Sequence, residues 1–474
     1  MTITMRRIKV KSDFSFSVRS KRLVFLLLPT RLSVFLFRRF IDDNRERNAL
    51  EAAKFLVDTN KIYATRYRRL IPKFLRFCLC LADLGLPKVY EELLIEAIWT
   101  THQNPTLRKQ VNEKILHATS QLSPSDSTAQ GWKLLTLALN GFGFIRGATV
   151  ARVNCLHAAV EEVTTKKASR RTIDLAIRGL AESRKFNDVR MFKDSLQPSH
   201  QEALKNDEVE IYVNLLTNGK ESSPSTAKKD PVFEIPGLRD LVEHKSVALV
   251  ATGEIDSNFG KEIDNHDIVA RIKYQGAIST PSIDKTGKRC DLTFYTNDLV
   301  TKYSIKSEND PTSVEFLDGL KMIITKEKSP ERIGKTLLKV ATVRAPTFLT
   351  TATSGTLFLF EIIRELPTRI FLYGFNLYTS RQLYSKALLD SYKTTNALKE
   401  IGLPKNWFDL SSHQKSSANI CVGFIAHDPK SDFLLIKNLY ELSGLIDGTP
   451  EVLALLNLTA DEYDLKLEEM LGDW

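Results

Sequence analysis

Two hydroxyl side chains and a glycine, Thr353, Ser354 and Gly355, stand directly before an apolar segment. The spacing of the apolar residues predicts a helix over Thr356–Leu366. The first turn of a helix presents unpaired backbone N–H groups and the positive end of the helix dipole, which together bind carboxylates or phosphates. The three residues therefore predict an anion site or, alternatively, an ordinary helix cap.

A second chemical signal lies at Gly253, where an apolar, β-branched run ends. The run predicts a strand over Ser246–Thr252 followed by a loop. Open α/β sheets bind ligands outside the carboxyl ends of their strands, so this loop is a candidate binding site. A glycine after a strand is also common in a plain turn, and that alternative stays open.

The residues after this loop resemble the large sialyl motif of the sialyltransferases in glycosyltransferase family 29. They read Gly260-Lys261-Glu262-Ile263-Asp264-Asn265-His266-Asp267, with Arg271 after them. Further motifs of the family follow in order. Residues 352–360 with Tyr373-Gly374-Phe375 resemble the small motif, and residues 426–432 resemble the very small motif.

The resemblance implies a site for a CMP-linked sialic acid or a related sugar acid. Thr252, beside Gly253, stands where the family has an asparagine that holds the nucleotide. Lys273 stands where the family has an asparagine near the donor phosphate, and an ammonium group neutralises phosphate with a different geometry. Thr353, Ser354 and Gly355 would bind the donor carboxylate or phosphate.

The resemblance also implies two catalytic histidines. His427 matches the general base that deprotonates the acceptor hydroxyl, a task that suits an imidazole because its pKa lies near neutrality. Asp432 follows it where the family usually has Glu. His413 lies near the place of the third motif, whose aromatic residues are absent, as a phosphate contact or proton donor. For either histidine, a structural role on the surface or in a loop is the alternative.

The resemblance thus implies an enzyme, a glycosyltransferase that moves the sugar acid to a glycan acceptor with inversion. We expect no metal and no other cofactor, because the family needs none and the sequence has no convincing D-x-D pair. Two alternatives remain open. One is a transferase for a different nucleotide sugar, and the other is a catalytically weak scaffold for surface-polysaccharide assembly.

The elements that would position these residues occupy 233–474. Alternating strands and helices predict a mostly parallel α/β sheet, and the resemblance implies a Rossmann-like variant of the GT-A fold. The predicted strands are Ser246–Thr252, Ile268–Tyr274, Leu292–Thr296, Leu320–Thr325 and Arg369–Tyr373, and the predicted helices are Thr356–Leu366, Arg381–Ile401 and Asp432–Leu445.

An all-α domain is predicted over 44–218, either as a helical repeat or as an irregular helical domain, with a surface for a protein partner. A Ser-, Lys-, Gly- and Pro-containing linker follows over 219–232. The predicted helices are Arg47–Asn60, Arg68–Leu84, Lys88–Thr101, Pro105–Gln121, Gln130–Leu139, Ala148–Thr164, Arg171–Arg184 and Ser199–Leu216.

The net charge of +10 is concentrated in a basic amphipathic leader over 1–43. Residues 1–40 hold ten basic side chains against one acid, so the rest of the chain is near neutral and a nucleic-acid groove is not indicated. The apolar runs of the leader fall short of the roughly 20 residues that span a bilayer. The leader predicts binding to an anionic membrane surface or a disordered or surface-packed segment.

Five cysteines without a C-x-x-C spacing predict free thiols in a reducing compartment. Cysteine pairs shared by the large and small motifs, typical of the animal Golgi enzymes of the family, are absent from this sequence. We therefore expect a bacterial-type, cytoplasmic protein, peripheral at the inner face of the membrane if the leader binds lipid.

Overall fold

The computed structural model describes residues 84–472, apart from several internal gaps. These gaps are 166–167, 197–206, 219–234, 236, 281, 297–298, 301–302, 305–307, 309–310, 326–331, 334, 341–344, 381–423 and 425–426. The predicted leader, the predicted linker and the helix predicted over 381–401 lie outside the described residues. So do the helix predicted over 47–60 and all but the last residue of that over 68–84. The chain from Leu81 to Trp474 forms one compact unit.

The described residues before 219 form seven α-helices. The bounds of the first five follow the predicted ones to within three residues. The sixth, over Phe186–Ser195, is not anticipated by the sequence pattern. The seventh begins at Asp207, because the first eight residues of the helix predicted over Ser199–Leu216 lie outside the described residues. Trp132, Leu135, Ala151 and Ala159 are fully buried among them, as their helical spacing predicts. The helices are α1 (Lys88–Gln103), α2 (Arg108–Ser120), α3 (Ala129–Phe142), α4 (Ile145–Thr165), α5 (Arg170–Glu182), α6 (Phe186–Ser195) and α7 (Asp207–Asn218).

An eight-stranded sheet follows, in the order β5-β6-β4-β3-β2-β1-β7-β8. All pairs are parallel except β5 with β6, which confirms the predicted mostly parallel α/β sheet. The strands are β1 (Ser246–Val250), β2 (Ile268–Ile272), β3 (Leu292–Tyr295), β4 (Met322–Thr325), β5 (Arg332–Ile333), β6 (Thr336–Val340), β7 (Arg369–Tyr373) and β8 (Ile446–Gly448).

Helices cover both faces of the sheet, which explains why β2, β3 and β4 are buried along their whole length. The helix α9 packs its Ile263 against Val269 on one face, while α11 packs Phe358 against Phe294, with ring centroids 5.6 Å apart, on the other. The helices of this region are α8 (Leu238–Val242), α9 (Gly260–Asn265), α10 (Ile283–Thr286), α11 (Ser354–Arg364), α12 (Pro429–Ser443), α13 (Pro450–Leu456) and α14 (Ala460–Gly472).

The strand order changes direction at β1, which lies between β2 and β7. Such a switch point opens a crevice at the carboxyl ends of the two strands on either side of it. Strands β1 and β2 end at Val250 and Ile272, two residues earlier than the sequence pattern predicts. Thr252 and Lys273 therefore lie in the loops at this edge of the sheet.

The helical region and the α/β region contact each other directly. Helix α4 packs against α14, and α5 and α7 both pack against α12. Cys155 and Cys290 are free thiols, as predicted, and Cys78, Cys80 and Cys421 lie outside the described residues. Within the described part of the chain, no helix is long and apolar enough to cross a membrane.

Candidate active site at the carboxyl edge of the sheet

The loops after β1 and β7 lie side by side at Gly253 and Gly374. The Gly253 N–H donates to the Gly374 carbonyl oxygen over 3.2 Å. A Cβ atom on Gly253 would stand 2.4 Å from that oxygen, and Gly374 itself has a φ of +66°, so both positions require glycine. The close approach fixes the Thr252-Gly253 loop beside Phe375, and it accounts for the glycine signal in the sequence.

Lys273 is placed by an unusual backbone at the end of β2. Its φ is +56°, in the left-handed region that costs a side-chain-bearing residue about 1–2 kcal/mol. The Lys273 N–H donates to the Phe294 carbonyl oxygen over 2.9 Å, so β3 holds this conformation. The half-buried lysine therefore leaves the strand at the same edge as Thr252.

Helix α11 begins against the ends of β2 and β7. A Cβ atom on Gly355 would stand 3.2 Å from both Ile272 Cδ1 and the Phe375 ring, so the glycine lets the first turn approach closely. The Thr353 hydroxyl accepts from the Thr356 N–H over 3.3 Å, which is the predicted helix cap. The predicted helix cap is thus confirmed for Thr353. An anion site at Ser354 and Gly355 stays a prediction.

His427 lies directly before α12, with its ring hydrogen-bonded to the segment that leads into α11. The distance from His427 Nδ1 to the Thr351 carbonyl oxygen is 3.0 Å. A carbonyl oxygen only accepts, so Nδ1 carries the hydrogen and the neutral ring presents the lone pair of Nε2. This tautomer is the one that a general base acting through Nε2 requires.

Asp432 makes a second bridge between α12 and the start of α11. Its carboxyl oxygens accept from the Thr353 N–H over 3.3 and 3.2 Å. The side chain is fully buried, and this burial raises the pKa of Asp432 to about 7. The sequence shows Asp432 only as an acid five positions after His427, and nothing in that spacing reveals its partner Thr353.

These contacts divide the predicted site residues into two sets. His427, Thr353, Ser354 and Gly355 belong to one cluster around the start of α11, and Gly355 joins that cluster to Ile272 and Phe375. Thr252, Gly253 and Lys273 lie in loops at the same edge of the sheet. His413 lies outside the described residues.

The rest of the large-motif segment has packing partners of its own. The Tyr373 hydroxyl donates to Glu262 Oε1 over 2.8 Å and lies 3.1 Å from His266 Nε2. Because that hydroxyl donates to Glu262, His266 Nε2 is the donor in the second bond. Burial lowers the pKa of His266, which favours this neutral ring. These side chains fasten α9 to β7.

The turn before β3 is held together in the same way. Arg289 pairs with Asp291 over 2.7 Å, and its Nη1 donates to the carbonyl oxygens of Asp264 and His266, each over 2.7 Å. Backbone N–H groups and the neighbouring cations Lys321 and Arg289 lower the pKa of Asp291 despite its partial burial. This geometry favours a structural role for the turn over a binding role.

Among the described residues, no group of three or more His, Cys, Asp or Glu side chains is placed to hold a metal ion. The arrangement at the sheet edge offers a histidine whose Nδ1 is hydrogen-bonded to a backbone carbonyl oxygen, a helix N-terminus and a lysine, which are groups that handle a proton and an anion. Comparison with protein-family models gives no match for this chain, and comparison with curated proteins gives none either.

Proposed function

We propose that this protein is a sialyltransferase-like glycosyltransferase with a Rossmann-like variant of the GT-A fold. It transfers a sialic acid or related sugar acid from a CMP-activated donor to a glycan hydroxyl, with inversion. One observation supports the proposal most strongly. A hydrogen bond to Asp432 joins the very small motif to Thr353 of the small motif, and a hydrogen bond from His427 joins it to Thr351, the residue before that motif. These segments lie more than seventy residues apart in the chain.

In the proposed reaction, Nε2 of His427 takes the proton from the acceptor hydroxyl. The hydroxyl oxygen bonds to the anomeric carbon from the face opposite CMP, and the bond from that carbon to the phosphate oxygen breaks. The electron pair of that bond leaves with CMP. The transition state has oxocarbenium character, so stabilising the leaving phosphate is the main electrostatic requirement.

The leaving phosphate would meet Lys273 and the first turn of α11, where Ser354 and Gly355 lie. Thr252 and Gly253 would hold the nucleotide at the switch point. His413 is proposed as a phosphate contact or proton donor to the leaving group. We place the reaction in the cytoplasm, with residues 1–40 at the anionic inner face of the membrane.

The test is CMP release from CMP-sialic acid by the wild-type protein, with a panel of glycan acceptors. We expect acceptor-dependent release that falls by about 10²–10⁴-fold in His427→Ala, the usual contribution of a general base. His157→Ala, which removes an exposed histidine of α4, is the matched control and should retain the wild-type rate. If the protein releases nucleotide only from a different nucleotide sugar, the proposed donor is wrong. If the folded wild type turns over none of the nucleotide sugars tested, the whole proposal is overturned.

A further inference from the structure

A buried arginine of the helical region contacts the segment that carries His427. Arg152 of α4 is 6 % exposed and forms an ion pair with Asp428, the residue after His427 and the N-cap of α12. The same guanidinium donates to Glu182 Oε2 of α5 over 2.6 Å and to the Ser431 hydroxyl over 2.7 Å. A planar guanidinium suits this task because its donors diverge in fixed directions.

The network also includes Phe348, which lies in the chain segment that contains Thr351, the hydrogen-bond acceptor of His427. The Ser431 hydroxyl donates to Glu182 Oε2 over 2.6 Å and accepts from the Phe348 N–H over 3.1 Å. The Arg152 guanidinium lies over the Phe348 ring, 4.8 Å from its centroid. Phe348 stands three residues before Thr351, the partner of His427. One buried cluster therefore fixes both chain segments that meet at the histidine.

Arg152 supplies the positive charge that balances two buried carboxylates, those of Glu182 and Asp428. Its guanidinium faces two buried carboxylates, and burial together with the charge of Asp428 raises the pKa of Glu182. The N-terminus of α12 assists, because Asp428 accepts from the Lys430 and Ser431 N–H groups over 3.2 and 3.3 Å. Removing Arg152 would leave both acids buried without their cation, a change that relaxes the local backbone or draws in water.

We propose that Arg152 and Glu182 are positioning residues for His427, so that the helical region is a working part of the active site. The cluster fixes Asp428 and Phe348, and through them the geometry of the bond between His427 and Thr351. The catalytic consequence rests on the function proposed above, while the effect on the His427 ring does not depend on it.

The first measurement reports on His427 directly and does not require the protein to turn over a substrate. The rate at which diethyl pyrocarbonate labels His427, followed by mass spectrometry across a pH series, reports the accessibility and the titration of the ring. We expect Arg152→Met to raise the labelling rate of His427 several-fold at pH values where the ring is neutral, because the Nδ1 hydrogen bond loosens and the ring becomes more accessible. Arg152→Lys keeps the charge but not the fork of donors and should give an intermediate profile.

The matched control is Arg146→Met on the same helix. Arg146 pairs with Glu468 over 2.7 Å and Glu113 over 2.5 Å, so the variant also breaks a partly buried ion pair. It makes these contacts with α14 and α2 and should leave the His427 profile unchanged. Ser431→Ala provides a milder variant should Arg152→Met fail to fold. It keeps the ion pairs of Arg152 and removes the hydroxyl that links Arg152 and Glu182 to the Phe348 N–H.

The second measurement is kinetic. We expect kcat to fall about 10–100-fold in Arg152→Met with the donor KM within about twofold, since a misplaced base loses rate rather than donor binding. An unchanged His427 labelling profile in folded Arg152→Met or Ser431→Ala would overturn the positioning role, whatever the turnover. Absence of turnover in the wild type would instead overturn the transferase, and the labelling profiles would still decide the positioning role.

Discussion

At the scale of single residues, Asp432 is a carboxylic acid that the fold removes from water. Burial penalises its charged form and raises its pKa to about 7, and the hydrogen bonds from Thr356 and Thr353 offset only part of this effect. The folded protein therefore binds a proton more tightly at Asp432 than the unfolded chain does. Such a group stabilises the fold fully below its unfolded pKa, and that contribution is lost as the pH rises through the folded value.

We predict that this loss is measurable between about pH 4 and pH 7. The free energy of unfolding should fall across this range by up to about 4 kcal/mol on account of Asp432. Asp432→Asn cannot ionise, so its stability relative to wild type should increase over the same range. Urea unfolding at several pH values measures the difference, with the exposed Asp461→Asn as control. Parallel curves for wild type and Asp432→Asn would contradict the prediction.

The sequence identifies some site residues and conceals others for a physical reason. His427 and Gly253 are recognisable because their types and local neighbours suit a motif. The partners Thr351 and Thr353 lie 76 and 79 positions from His427 and Asp432, respectively, and no local spacing encodes such a contact. Arg152 is still harder to identify from the sequence, because there it is one polar residue in an otherwise ordinary predicted helix.

At the scale of elements, the long and regular segments are the predictable ones. Strand β7 has the predicted bounds, and α11 and α12 each begin two or three residues before theirs. Their capping residues explain the shift, because Thr353 and Asp428 close the first turns earlier than the apolar pattern starts. Strands β5 and β8, with two and three residues, are too short for any periodicity to appear.

The cap of α11 provides a test of the proposed donor site. Thr353→Ala should lower the free energy of unfolding by about 1 kcal/mol, because the Thr356 N–H loses its acceptor. The first turn should also fray, so CMP should bind several-fold more weakly. Isothermal titration calorimetry with CMP measures this effect.

Thr128→Ala removes the corresponding cap of α3, where the Thr128 hydroxyl accepts from the Gly131 N–H over 3.1 Å. This control should lose similar stability and keep its affinity for CMP. Equal CMP affinity in Thr353→Ala, Thr128→Ala and wild type would exclude the start of α11 from the proposed donor site.

At the scale of the whole molecule, the amino-acid composition suggests two separate domains, whereas the contacts join the helical and α/β regions. The polar linker predicted over 219–232 suggests a boundary, because residues 217–230 lack large apolar side chains. The contacts cross that boundary, since Asn438 of α12 donates to the Glu182 carbonyl oxygen over 3.0 Å and to the Tyr212 hydroxyl over 2.8 Å. Sequence composition reports where a chain is solvated, and it carries no information on which distant faces cover each other.

We therefore predict that the helical and α/β regions unfold together. Hydrogen exchange followed by mass spectrometry should give peptides of α4 and α12 the same opening free energy, and the two should respond equally to urea. A shortened chain over 235–474 should be much less stable than the full chain, because α12 would expose the face that α5 and α7 cover. Independent unfolding of the two regions, or a stable 235–474 fragment, would contradict this prediction.

The distance along the chain between Arg152 and Asp428 has a consequence for biosynthesis. The two residues are 276 positions apart. At about 5–20 residues per second, a ribosome needs roughly 15 to 55 s to travel from one to the other. For most of that interval the nascent helical region carries Arg152 and Glu182 before Ser431, their shared hydrogen-bond partner in α12, has been made. The proposed active site can therefore assemble only after α12 has been synthesised, and a prematurely terminated chain that lacks α12 would be left with an incomplete interior.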